Sequence, residues 1–258
     1  MGISKDDISI ETIDQWGEQA SPKRRDQWAA GRSAMELARS WLGGIPAEMS
    51  SALESHPCFG KVLDWKAEPE VALRFDNFRG ESRNSDLVVD ARDTHGNYIV
   101  SVEGKADEKF GDLVSSAFAS AMEEALKNPN SNGSARIRNL ANDFLHPKER
   151  VEPSLKKIRY QLLTACAGML AEAKRRNVNR ALMLVHEFRT DRTTQKKLLR
   201  NSRDLSNFIN RLSRGRVTEA RSGEIHGQFE LPGKSAFASE VRFFVGKASI
   251  DLHRCSDE

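Results

Sequence analysis

The run RALMLVHEF, residues 180–188, constrains the fold more than any other stretch of the chain. It is nearly continuous in apolar residues and bounded by polar ones. That is the pattern of a strand buried on both faces, so it calls for a sheet covered by other elements on each side. Helical periodicity supplies the cover. Residues 25–42 place Trp28, Met35, Ala38 and Leu42 near one stripe, and Gly43, Gly44 and Pro46 end it. Residues 111–127 and 135–145 also read as helices. Residues 154–176 form the longest helical pattern, with Ser154 as N-cap, and 192–213 form a very basic one. Strands are expected over 70–76, 86–91 and 98–103, and short ones over 216–221, 225–231 and 240–252. The order is helix, three strands, helices, strand and a mixed tail.

Composition narrows the class. With 258 residues, 38% hydrophobic and 30% charged, the chain has material for a core, which argues against wholesale disorder. No stretch approaches the roughly 20 apolar residues of a membrane span. Met1 to Glu11 are polar, unlike a signal or transit peptide, and read as a flexible lead. Cys58, Cys166 and Cys255 are odd in number and far apart, which argues against a disulfide framework or a cysteine zinc site and for a reducing cytoplasm. The histidines lack paired zinc spacing, and no phosphate-binding loop or dinucleotide fingerprint is present.

Charge is informative only by segment. Residues 1–133 hold 15 Lys/Arg against 23 Asp/Glu, a net −8, whereas residues 134–221 hold 21 against 8, a net +13; the remainder is −2. A local excess of +13 attracts polyanions, nucleic acid first. The alternative is a solvated basic helix, or one that meets an acidic protein.

The runs DLVVDA and YIVSVE flank the turn sequence RDTHGN and make a hairpin. With a loop over 92–97, Ala91 faces Tyr98, and five further steps along each strand set Asp86 opposite Glu103. Opposed residues have Cβ atoms about 4.5–5.5 Å apart on one face, and alternation returns Lys105 to that face. Paired carboxylates repel unless a cation separates them, and a hard divalent ion suits their oxygens. A lysine beside them suits phosphodiester hydrolysis. Acid-x-Lys is a weak motif that recurs elsewhere in this chain, and the same residues also read as a solvated ladder of ion pairs.

Asp86 together with Glu103-Gly104-Lys105 resembles the PD-(D/E)XK nuclease superfamily, over roughly residues 25–190. The resemblance implies an α/β fold with a restriction-endonuclease-like core: a mixed central sheet flanked by helices, ordered helix, three strands, helix, strand. Residues 1–24 would precede the core as a lead. Residues 106–153 would be an insertion, and 191–258 a basic helix with a C-terminal α+β extension packed on the core. It further implies Mg²⁺ or Mn²⁺ on Asp86, Glu103 and the Gly104 carbonyl, with Lys105 orienting water. Glu36, in an upstream helix, would join the metal shell, and Gln161 would bind water or phosphate. Ser85 stands where the family often has proline. Lys157, one helical turn before Gln161, would share its face. Arg79 and Arg83, then Arg192, Lys196, Lys197, Arg200, Arg203 and Arg211, would grip a phosphate backbone. The expected activity is metal-dependent endonuclease cleavage of DNA, by a homodimer on analogy. The alternative is a silent nuclease-fold protein that binds nucleic acid or regulates. His186 reads as a structural group, and the four tryptophans as packing residues.

Overall fold

The structure, a computed structural model, describes residues 1–22, 25–78, 82–149, 152–232, 235–237 and 240–253. The chain begins with β1 (Gly2–Lys5), β2 (Ile8–Ser9), α1 (Ile13–Ala20), α2 (Ser33–Leu42) and α3 (Ala47–Glu54). Three strands follow: β3 (Asp64–Leu73), β4 (Arg83–Asp93) and β5 (Gly96–Lys105). The crossover holds α4 (Val114–Lys127), α5 (Gly133–Phe144) and α6 (Tyr160–Arg175), and leads into β6 (Arg180–Arg189). Last come α7 (Gln195–Leu212), β7 (Glu224–Gly227) and β8 (Arg242–Asp251). The described strands form one mixed sheet in the order β2-β1-β3-β4-β5-β6-β8-β7.

β6 is buried along 180–188 and sits centrally, parallel to both β5 and β8. Its side chains alternate between two cores. Ala181, Met183 and Val185 pack on the α5–α6 side, while Leu182, Leu184 and Phe188 pack on the α2–α3 side. The chain is therefore an α/β protein with helices on both faces of a mixed sheet.

Several boundaries differ from expectation, each for a physical reason. The lead is ordered structure. Asp6 and Asp7 take left-handed conformations that turn β1 into β2, β1 pairs in parallel with β3, and Ile3, Ile10 and Trp16 are buried. A reciprocal capping box between Thr12 and Gln15 starts α1. The helix expected over 25–42 breaks at Gly31 (φ +80°), so that only a 3-10 turn at Arg25–Gln27 precedes α2. β3 starts before the expected strand and contains Pro69. β1 covers only Lys66 and Ala67, so the outer side of Pro69 needs no N–H.

The helix expected from Ser154 is also broken. Val114 N–H donates to Ile158 O, and Tyr160 N–H to Asp112 O. These bonds pull the backbone straight, leaving a 3-10 turn at Leu155–Lys157 before α6, and Ser154 makes no side-chain cap. No strand forms over 216–221. Ser213 Oγ and Ser206 Oγ accept from the N–H groups of Val217 and Ala220 instead.

Candidate active site

The hairpin turn is two residues, Thr94 and His95, rather than six. Equal lengthening of both strands keeps the expected register, with Ala91 opposite Tyr98 and Leu87 opposite Val102. The ladder stops there. At the next level the side chain of Asp86, not its backbone, meets β5: Oδ2 accepts the Gly104 N–H at 2.9 Å.

β3 adds a third acid that the sequence reading missed. Its pairs Pro69–Leu87 and Val71–Ser85 bracket Glu70 and Asp86, so Glu70, Asp86 and Glu103 form a row across three adjacent strands. Glu70 has φ +50°, a costly conformation for a residue with a Cβ. It reverses the side-chain alternation: Ala67 faces the α2–α3 core, but Val71 and Leu73 face the α6 core. β4 reverses at the same level. Leu87 and Val89 face α2–α3, whereas Ser85 Oγ reaches Ser101 Oγ at 2.8 Å and Arg83 reaches Glu103. Strand alternation alone does not reveal either contact. The Ser85 hydroxyl serves as a buried cross-strand tie.

Glu103 is fully buried. Its Oε1 pairs with the Arg83 guanidinium, and its Oε2 accepts from Gln161 Nε2 at 3.0 Å, with Lys105 Nζ at 3.8 Å. Lys105 is buried; its ammonium donates to Gly104 O at 3.1 Å and lies 5.3 Å from the centre of the Phe110 ring. Asn84 Nδ2 donates to Glu70, and Lys5 donates to the Glu70 carbonyl at 3.1 Å. Burial, and then the charge of Glu103, push the Asp86 carboxyl up to about 6 against the opposing pull of Lys105 and Arg83. Burial, Asp86 and Glu103 push Glu70 up to about 7. Cys166, on α6, is raised by burial and by Glu103, which makes it an inert thiol.

Glu70, Arg83, Asn84, Asp86, Lys105 and Gln161 line a cleft of about 830 Å³, together with Trp16, Arg32 and Ser33 from the α1–α2 side and Glu108 and Lys109 after β5, while Glu103 lies fully buried behind them. The start of α7 is tied beside it. Asp107 pairs with Arg32 at 3.1 Å and Lys197 at 3.0 Å, Arg200 donates to Asp107 O at 3.4 Å, and Arg192 donates to Ala30 O at 3.0 Å. Lys196 and Arg203 are exposed. The basic helix expected from charge therefore borders the cleft.

Other expected site residues lie elsewhere. Glu36 is buried, accepting from Gly31 N–H at 2.7 Å and Arg39 at 2.8 Å; it braces the entry to α2 and is not among the residues lining the cleft. Lys157 is exposed on the separate 3-10 turn, off the α6 face that presents Gln161. Arg211 is buried, paired with Glu152 and donating to His146 O at 2.6 Å. Arg79 lies outside the described residues. His186 is a satisfied core group, with Nε2 2.7 Å from Glu48 and Trp41 Nε1 3.4 Å from Nδ1. Trp16 and Trp41 are core residues.

Among the described residues, no three His, Cys, Asp or Glu side chains are grouped closely enough to hold a metal ion. No helix among them is long and apolar enough to cross a membrane. A family model described as a domain of unknown function, DUF6946, matches residues 9–252. No curated protein and no solved structure matches the chain.

Proposed function

We propose that this chain, which belongs to the DUF6946 family, is a divalent-metal-dependent nuclease that hydrolyses phosphodiester bonds in DNA. The observation that carries the reading is the acidic row Glu70–Asp86–Glu103, of which Glu70 and Asp86 line, with Lys105 and Gln161, a cleft bordered by a basic helix. The donors are all oxygen, and three carboxylates meet two cations, Arg83 and Lys105. Burial, and then repulsion among the acids, raise the carboxyls of Asp86 and Glu70, and a hard cation would relieve both. Asp86, Glu103 and the Gly104 carbonyl would hold Mg²⁺ or Mn²⁺. When bound, the ion would supply the charge that activates water and neutralises the scissile phosphate.

The chain's own groups have separable tasks. The Lys105 ammonium would orient the attacking water and oppose charge developing on the phosphate. Gln161 would keep Glu103 aligned through its amide. Lys197, Arg200 and the exposed Lys196 and Arg203 would track the backbone. The test is incubation of the full chain with plasmid and oligonucleotide DNA plus Mg²⁺ or Mn²⁺. Cleavage is expected, and Asp86→Ala or Lys105→Ala should lower it by about 10²–10³-fold. Cleavage undiminished in both variants rejects the site.

One observation favours a second reading: both oxygens of Glu103 are already engaged, by Arg83 and by Gln161. A protein that binds nucleic acid without cutting it would keep them so. Salt-sensitive DNA binding with no cleavage under any metal would support that reading.

A further inference from the structure

Arg83 stands out within the acidic row. Its guanidinium pairs with Glu103 Oε1, and its charge also bears on Asp86 and Glu70. The side chain is 14% exposed, and its buried Nε–H has no hydrogen-bond acceptor. Arg180, in a wholly buried ion pair, leaves the same atom without an acceptor, so what sets Arg83 apart is its partial exposure to the cleft. The stem packs beside α6 at Gly168. A Cβ on Gly168 would meet Leu73 Cβ at 2.9 Å and lie 3.7 Å from Arg83 Cγ. The backbone is thus anchored while the charged head lines the cleft.

We propose that Arg83 is the resident counter-cation of the acidic row, which must leave Glu103 for a divalent ion to load and which then becomes a phosphate-binding residue. The inference rests on the metal-dependent reading above. Glu103 cannot give the same oxygen's charge fully to a guanidinium and to an ion, so the two compete. Once released, the planar fork of N–H donors matches two phosphate oxygens. Metal loading and substrate capture would then be coupled through one side chain.

The test is Mn²⁺ binding to the full chain, measured by calorimetry after removal of metal with EDTA. Arg83→Gln should bind Mn²⁺ about tenfold tighter than the unaltered protein, a gain of about 1.4 kcal/mol, and Asp86→Asn should abolish binding. Equal or weaker binding by Arg83→Gln overturns the inference. Mn²⁺-soaked crystals of the unaltered protein provide an arm that does not depend on the variant folding. Manganese on Asp86 with Arg83 no longer paired to Glu103 supports the inference, and manganese there with the pair unbroken overturns it alone. Absence of Mn²⁺ binding, with Asp86→Asn indistinguishable from the unaltered protein, overturns the metal reading and this inference together.

Discussion

The β4–β5 hairpin carries a buried ionic cluster at each end, and the two are built on opposite principles. At the turn end, Arg180 grips Asp93 with both arms, at 2.7 and 2.9 Å. Cys58 O and Gly96 O take two more of its donor contacts, and the Tyr98 ring lies 4.9 Å from the guanidinium. Asp93 also accepts from the N–H groups of Gly60 and His95. Burial pushes its carboxyl up, but Arg180 and these N–H groups outweigh that and hold it below its ordinary value. At the open end, Glu70, Asp86 and Glu103 outnumber Arg83 and Lys105, and two of the carboxyls rise. Desolvation raises the carboxyls at both ends, but at the turn end paired donors outweigh it and at the open end neighbouring acids add to it, which marks one cluster as a structural clamp and the other as a site wanting a cation.

The largest expected effect breaks the balanced end. Arg180→Ala should cost about 3–5 kcal/mol in urea unfolding, because Asp93 is left as an uncompensated buried charge. A loss below about 1 kcal/mol would mean the two ends are not different in kind.

The second prediction reverses the sign. A carboxyl whose pKa is raised in the folded state binds more protons folded than unfolded, so its contribution to stability falls as pH rises from about 4 through about 7. Glu70→Gln removes that penalty. It should stabilise the metal-free protein by about 1–2 kcal/mol at pH 8, with the difference fading near pH 4, as read from thermal unfolding across pH. Asp93, with a lowered pKa, behaves oppositely: its contribution is present above pH 4 and is lost on acidification. Destabilisation by Glu70→Gln at pH 8 would contradict the charge surplus at the open end.

The smallest effect lies outside both clusters. Lys196→Ala and Arg203→Ala should change stability by less than about 0.5 kcal/mol. Each should shallow the salt dependence of DNA binding by about one unit in the log–log slope. Unchanged slopes would remove α7 from the nucleic-acid surface.

The open end is only partly legible in the sequence. A register counted outward from the turn survives an error in loop length when both strands gain equally, and it holds as far as Leu87 opposite Val102; one step on, the ladder has ended and Asp86 meets β5 through its side chain at Gly104 N–H. Glu70 was hidden. Its partner strand is reached through the polar stretch 77–85, which carries no register signal, and its left-handed backbone defeats the period of two. The same reversal turned Arg83 inward onto Glu103. Glu36 has the right residue type on the expected helix, but Gly31 and Arg39 claim its oxygens. Lys157 lost its place because residues 112–114 pair with 158–160 and end the helix that would have aligned it with Gln161.

What the sequence determined by itself is what local periodicity encodes: the doubly buried strand at 180–188, the hairpin register, the helices on either side and the basic block at 134–221. Which charges meet was decided only in three dimensions. Side chains such as Arg83, Glu70 and Arg211 are long or sit at breaks in alternation, and their partners lie tens of residues away. Their pairing depends on how separate elements pack, and no local pattern records that.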